Sequence, residues 1–149
     1  QQAAKFNQGF ATTEFLASGL VDMKAHLAGE RAIDPAAFER EELARLGLPS
    51  EIVMRHRLPH FAHIFGDEGY SAGYYSYLWA DTLTADAAEA FLEAGGFYDR
   101  AVATRFREFV LSKGNTLDPA EAYRLFRGRD AGIAALMRDR GFPLPAPGQ

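Results

Sequence analysis

Asp-Pro stands twice in this chain, at Asp34-Pro35 and Asp118-Pro119. An aspartate caps a helix by accepting from a backbone N–H about three residues on, and proline at the first helical position gives up an N–H that lacks a helical partner anyway. Phe38, Leu43 and Leu46 follow the first pair before Gly47; Ala122, Leu125 and Phe126 follow the second. Asp99 opens another helix, with Val102, Phe106, Phe109 and Val110 inward and Gly114 as its stop. Asp130 is read as the cap of a last helix that uses Ile133, Leu136 and Met137 and stops at Gly141. The longest signal comes first in the chain. Phe6, Phe10, Thr13, Leu16, Leu20, Met23 and Leu27 recur at gaps of three and four, one face of a helix ending near Gly29, with Phe15 and Val21 on another side. No window alternates with the period of two that a half-buried strand requires, so the expected fold is all-α, a helical bundle.

The middle of the chain is less regular. Ser50 is placed to cap a short helical piece through Arg57, which Leu58-Pro59 must end or kink because Pro59 has no N–H. His60-Phe61-Ala62-His63-Ile64-Phe65 is too short for a helix with its own core face and reads as extended or irregular, closed by the loop Gly66-Asp67-Glu68-Gly69. A long helix is expected from about Ser71 to Ala94, with Thr84 as a candidate reset and Gly95-Gly96 as the stop. Phe142-Pro143-Leu144-Pro145-Ala146-Pro147 cannot continue a helix, and residues 143–149 are expected to form a flexible tail.

Composition excludes several classes of function. At 149 residues the chain is long enough to bury a core of its own. The formal charge of −4, with arginines interspersed among acids, argues against a nucleic-acid surface, which needs a basic stripe. With no cysteine there is neither a disulfide framework nor a thiolate metal site, which fits a cytoplasmic protein. No apolar run approaches the roughly 18 residues of a membrane span, and Gln1 to Phe6 has no signal-peptide pattern. The start at Gln1, without an initiator Met, reads as a chain that begins inside something longer or processed.

Candidate chemistry gathers between His56 and Tyr77. His56, His60 and His63 could share one face of an uninterrupted helix, but Pro59 interrupts it, and the sequence has no His-Glu-x-x-His, the spacing that supplies two zinc ligands and a general base. No metal site is therefore assigned to this chain. Tyr70, Tyr74 and Tyr77 lie at i, i+4 and i+7, so on a helix three phenols would share one face, with Tyr75 and Leu78 pointing to the core. One reading is an amphipathic helix with half-buried tyrosines at its edge. The other is the hydroxyl-lined wall of a cleft, whose phenols and the His63 imidazole donate to a peptide carbonyl or a developing oxyanion. Gly73, costly inside a helix, and the glycine-rich loop with Gly69 would let a ligand come close.

The run His60 to Gly66, followed by Gly69-Tyr70-Ser71-Ala72-Gly73-Tyr74-Tyr75-Ser76-Tyr77-Leu78-Trp79, resembles the block after the zinc site in the zinc oligopeptidase family of peptidyl-dipeptidases (dipeptidyl carboxypeptidases) and thimet oligopeptidases. Phe6-Asn7-Gln8-Gly9-Phe10-Ala11-Thr12 is similar to the family's segment upstream of it. Arg105 to Asn115 and Phe126-Arg127-Gly128-Arg129 resemble its C-terminal helices. The likeness spans nearly the whole chain, and Ala72-Gly73-Tyr74-Tyr75 leans towards the bacterial dipeptidyl carboxypeptidase branch. It implies a mostly helical metallopeptidase whose two halves face a channel, with zinc held by His-Glu-x-x-His and a later Glu. It also implies that His63, Tyr70 and Tyr77 are catalytic, stabilising the tetrahedral intermediate, and that Tyr74, Gly69, Gly73 and His60 contribute to substrate binding. The chain departs from the family in lacking both the zinc motif and the third ligand, and Asp67-Glu68 lengthens the loop.

The resemblance thus casts residues 1–142 as a C-terminal catalytic-domain fragment, inactive alone, whose partners are short peptides and the missing N-terminal part of the enzyme. Neither nucleic acid nor a membrane is an expected partner. A non-catalytic peptide-binding or partner-interaction module, and a plain helical domain with aromatic packing, stand as the alternatives. A first helix that is apolar on more than one side further suggests that the isolated chain pairs as a homodimer through that helix.

Overall fold

The computed structural model describes residues 3–144, so the expected tail lies outside the described residues from Pro145 onward. Seven α-helices and several single turns make up these residues, and no strand occurs among them, so the fold is all-α. The chain divides into two units, residues 1–78 and 79–149, with the division after Leu78.

In the first unit, α1 (Gln8–Leu27) and α2 (Pro35–Arg45) carry most of the regular structure. Asp34 caps α2 as its sequence predicts: Ala37 N donates to Oδ1 at 2.7 Å, and Pro35 occupies the first turn. The core gathers Val21, Met54, Leu58, Phe61, Ile64 and Tyr74, with Phe15, Phe38 and Leu43 packed against it. The apolar stripe of α1 does not face this core. Phe6, Phe10, Leu16 and Leu20 are 78%, 49%, 45% and 38% exposed, whereas Ala17, Ser18, Gly19, Val21, Asp22 and Ala25 are buried. Periodicity identifies a stripe but not the surface that it meets, and here the inward face is the one of small residues, where backbone can come close.

Three expectations for the segment that follows are corrected. Residues 50–57 form no helix: the chain turns at Ile52, whose N–H donates to the Pro49 carbonyl, and runs on without helical hydrogen bonds. The Leu58 amide instead donates to the buried Glu39 carboxylate of α2 at 3.1 Å, and Arg57 pairs with the same side chain. The stretch around His60, expected to be extended or irregular, holds a 3₁₀ turn, Leu58–His60, and a short helix α3, Ala62–Phe65. Burial of Phe61 and Ile64 three residues apart favours that coil over an extended run. The long helix α4 begins at Ser76, not near Ser71, and runs to Glu93 without a reset at Thr84. Ala72 has φ +56°, a left-handed backbone that breaks any helix through it, and a 3₁₀ turn, Glu68–Tyr70, precedes it. Gly73 is therefore a turn residue and carries no helix-interior cost. Tyr75, expected in the core, is 53% exposed.

In the second unit, α4 packs with α5 (Arg100–Phe106), α6 (Pro119–Arg127) and α7 (Ala134–Arg140). Asp99 and Asp118 cap α5 and α6 as predicted, accepting from Val102 N at 2.8 Å and Glu121 N at 2.9 Å. Asp130 does not cap α7; it pairs with Arg124 at 2.9 Å, and Ile133 holds the cap position. Helix α5 passes into a π-helical turn, Arg107–Leu111. The core is Ala90, Val102 and Phe126, joined by Ala87, Phe91, Phe106, Phe109 and Tyr123. Val110, Leu125 and Ile133, read as inward, are 39%, 47% and 54% exposed. A recess of about 640 Å³ opens in this unit, lined by Phe91, Phe97, Phe106, Phe109, Leu117 and Tyr123 among others. No helix among the described residues is long and apolar enough to cross a membrane.

Candidate active site

The site residues picked from the sequence meet around His63. Its ring centroid lies 4.4 Å from that of Tyr70, 5.6 Å from Tyr77 and 5.8 Å from Tyr74. Tyr77 Oη and His63 Nε2 are 2.9 Å apart, a hydrogen bond. A helix face does not produce this grouping. His63 comes from α3, Tyr70 from the end of a 3₁₀ turn, Tyr74 from the turn that follows, and Tyr77 from the first turn of α4.

Burial divides the tyrosines. Tyr74 is 7% exposed, stacked on Phe15 at 4.8 Å and edge-on to Phe61 at 4.9 Å, so its ring is the floor of the cluster. Tyr70 and Tyr77 are 44% and 41% exposed and His63 is also exposed, so these three can reach a ligand. Gly69 and Gly73 shape the loop beneath them. A Cβ on Gly69 would sit 3.0 Å from Asp67 Oδ1, and one on Gly73 would sit 3.2 Å from the Tyr70 carbonyl oxygen, so neither position takes a side chain without moving its neighbour. The Gly69 amide is itself donated to Asp67 Oδ1 at 2.8 Å. His60 ends the Leu58–His60 turn, exposed, and makes no ring contact with the cluster among the described residues. His56 packs on Phe61 at 5.1 Å.

The chemistry open to this arrangement is donation to an oxygen. When His63 Nε2 carries a proton it donates to the Tyr77 oxygen, which leaves the phenol proton free for an outside acceptor. When Nε2 is bare, the phenol donates to it instead and is unavailable. Tyr70, exposed and in ring contact with His63, brings a second phenol to the cluster. Among the described residues, no group of three or more histidines, cysteines or carboxylates is arranged to hold a metal ion.

The sequence pattern of peptidase family M3 matches residues 1–142. The chain belongs to that family. It is 39% identical over 145 residues to dipeptidyl carboxypeptidase of Salmonella typhimurium, covering 95% of this chain and 21% of that protein. To dipeptidyl carboxypeptidase of Escherichia coli it is 40% identical over 148 residues, 97% of this chain and 21% of the relative. Oligopeptidase A of Escherichia coli matches at 39% over 127 residues, 83% and 18% of the two chains. The chain therefore spans about a fifth of the length of these curated relatives.

Sequence reasoning passed over one residue that holds the turn carrying Tyr74. Asp22 lies in α1 between Val21 and Met23 and is 0% exposed; Ala72 N donates to its Oδ1 at 3.1 Å and Tyr74 N to its Oδ2 at 3.0 Å. Its signal was an acid set in an apolar stretch, but nothing local to α1 names a partner fifty residues away.

Proposed function

We propose that this chain is the substrate-binding and transition-state-stabilising part of a zinc metallopeptidase that cleaves short peptides, removing dipeptides from their C-termini. The observation that carries the reading is the exposed His63–Tyr77 pair beside Tyr70, seated on the buried Tyr74. Two relatives named dipeptidyl carboxypeptidase, similar over 95% and 97% of this chain, support the choice of dipeptide release. In this reading Tyr77 and Tyr70 donate hydrogen bonds to the scissile carbonyl oxygen as it gains charge, and His63 orients the Tyr77 phenol and donates alongside it. In the same reading Gly69 and Gly73 keep the loop low enough for a peptide to lie against the phenols, and His60 contributes to substrate binding.

The zinc implied by the family resemblance does not fit this chain's own donors, since the sequence lacks His-Glu-x-x-His and its described residues form no ligand group. In this reading the chain works with the remainder of a longer enzyme and alone hydrolyses no peptide. Chelator-sensitive, stoichiometric peptidase activity from the purified chain overturns that statement.

The test of the site is made in the enzyme that contains this chain. Tyr77→Phe and Tyr70→Phe each lower kcat by roughly 10²–10³-fold with little change in KM, because a donor that meets the oxyanion only in the transition state acts on kcat. His63→Ala does the same. Wild-type kcat/KM in all three variants, with peptide binding intact, would sink the catalytic reading and favour a non-catalytic peptide-binding module.

A further inference from the structure

Phe15, Gly19, Asp22 and His26 follow one another along α1 at gaps of four, three and four, which places them on one face. Each meets the segments that carry the candidate site. Phe15 stacks on the Tyr74 ring. Gly19 lets the chain at Tyr75 lie against the helix: a Cβ there would already touch the Tyr75 Cα at 3.4 Å. Asp22 takes the Ala72 and Tyr74 amides, one on each oxygen. His26 Nδ1 is hydrogen-bonded to the Asp22 carbonyl oxygen at 3.0 Å, with Asp22 Oδ1 2.8 Å away, and the ring stacks at 5.3 Å on Phe65, two residues beyond His63 in α3.

We propose that Asp22 is a positioning residue of the candidate site: its buried carboxylate fixes the Ala72–Tyr74 turn and so sets Tyr70 and Tyr77 against His63. The inference rests on the function proposed above. A fully buried side chain does not touch a peptide, so its influence passes through the backbone that it holds. That backbone needs holding. Ala72 has φ +56°, a left-handed conformation that alanine rarely adopts, and a carboxylate is the stronger class of acceptor for the amide on that residue. Tyr70 lies two residues before Ala72 and Tyr77 three after Tyr74, so a release of this turn displaces both exposed phenols together. Tyr74 is held twice, by its amide on Asp22 and its ring on Phe15, which keeps the floor of the cluster in register with α1.

Two measurements test the inference separately from the catalytic reading. In the 149-residue chain, Asp22→Asn should speed exchange of the Ala72 and Tyr74 amides about tenfold over the unsubstituted chain, the scale of one hydrogen bond to a charged group. Unchanged rates at both amides overturn the proposal. In Asp22→Asn, which keeps the volume but turns an NH₂ group toward one of the two amides, NMR contacts between the rings of His63 and Tyr77 should be lost while those among Phe61, Ile64 and Met54 persist. Retention of the His63–Tyr77 contacts overturns it. In the enzyme, Asp22→Asn should lower kcat by roughly tenfold or more yet add little on top of Tyr77→Phe, because both substitutions disable one donor. Full additivity would mark Asp22 as structural only and overturn the inference. If Asp22→Asn separates the rings while Tyr77→Phe leaves turnover unchanged, positioning stands and the catalytic reading fails.

Discussion

Buried carboxylates of the two units serve different ends, although Glu42 of the first takes a guanidinium, that of Arg45, as Asp86 of the second does. In the first, Asp22 on α1 and Glu39 on α2 reach irregular chain and accept from main-chain amides: those of Ala72 and Tyr74 for one, that of Leu58 for the other. In the second, Asp86 on α4 is 1% exposed and accepts from side chains: Tyr123 Oη at 2.7 Å, Arg129 Nη2 at 2.6 Å and Arg127 Nε at 3.2 Å. Arg127 also grips both oxygens of Glu93 from the same helix as Asp86. An acid that binds amides fixes the course of a loop, whereas one that binds guanidinium groups and a phenol clamps one helix on another. The first unit can therefore shape a site from turns, and the second gains a stiff frame.

The charge balance around Asp86 shows how such a clamp is tuned. Burial pushes its carboxyl up, but hydrogen bonds from Tyr123 and Arg129 and the charges of Arg127 and Arg129 outweigh that and hold it below its usual 3.8. Burial, then the bond to Asp86, pushes the Tyr123 phenol well above its ordinary value. The hydrogen bond from Arg127 holds Glu93 below the usual carboxylate range.

The largest effect that could break the comparison belongs to Asp86→Ala. Arg127, whose side chain is 8% exposed, would lose one of its two acid partners, and the chain should lose about 3 kcal/mol of stability in urea titration. A loss below roughly 1 kcal/mol would show that the guanidinium groups find water and that the clamp is no stronger than a surface pair. The pH dependence follows from the same network. A carboxyl whose folded value lies below its unfolded one stabilises fully above the unfolded value, and that stabilisation is lost as pH falls through the folded value. Acid titration of the wild-type chain should therefore weaken the second unit below about pH 4, and Asp86→Ala should remove most of that slope; an unchanged slope assigns it to other carboxyls.

Glu39→Gln sharpens the first half of the comparison. It keeps one acceptor for the Leu58 amide but loses the charge facing Arg57, so a cost of about 1 kcal/mol is expected, with faster exchange of the Leu58 amide as the specific sign. The smallest effect is expected from Tyr75→Phe. That side chain is 53% exposed and has no ring contact with His63 among the described residues, so kcat/KM of the enzyme should be unchanged within about twofold. A large loss would move the site's boundary to include Tyr75.

The helical class and the caps at Asp34, Asp99 and Asp118 were legible from sequence because each rests on a partner three residues away, where the chain is its own context. Asp130 carries the same signal and failed, since Arg124 outcompeted a cap. The cluster was legible as a set of neighbours: the rings of Tyr70, Tyr74 and Tyr77 do gather around His63. It was not legible as a geometry. A helical spacing of i, i+4 and i+7 was invoked to bring the phenols together, whereas a left-handed Ala72 and two separate turns do so. The amino-acid sequence by itself determined the helical class, the starts of α2, α5 and α6, and which polar rings lie near one another along the chain. Which face of α1 turns inward, that Tyr74 is the floor while Tyr75 stands out, and that Asp22 holds the turn between them were decided by tertiary structure. Those outcomes depend on contacts between residues some fifty positions apart, and a local pattern carries no term for a hydrogen bond whose acceptor lies that far away.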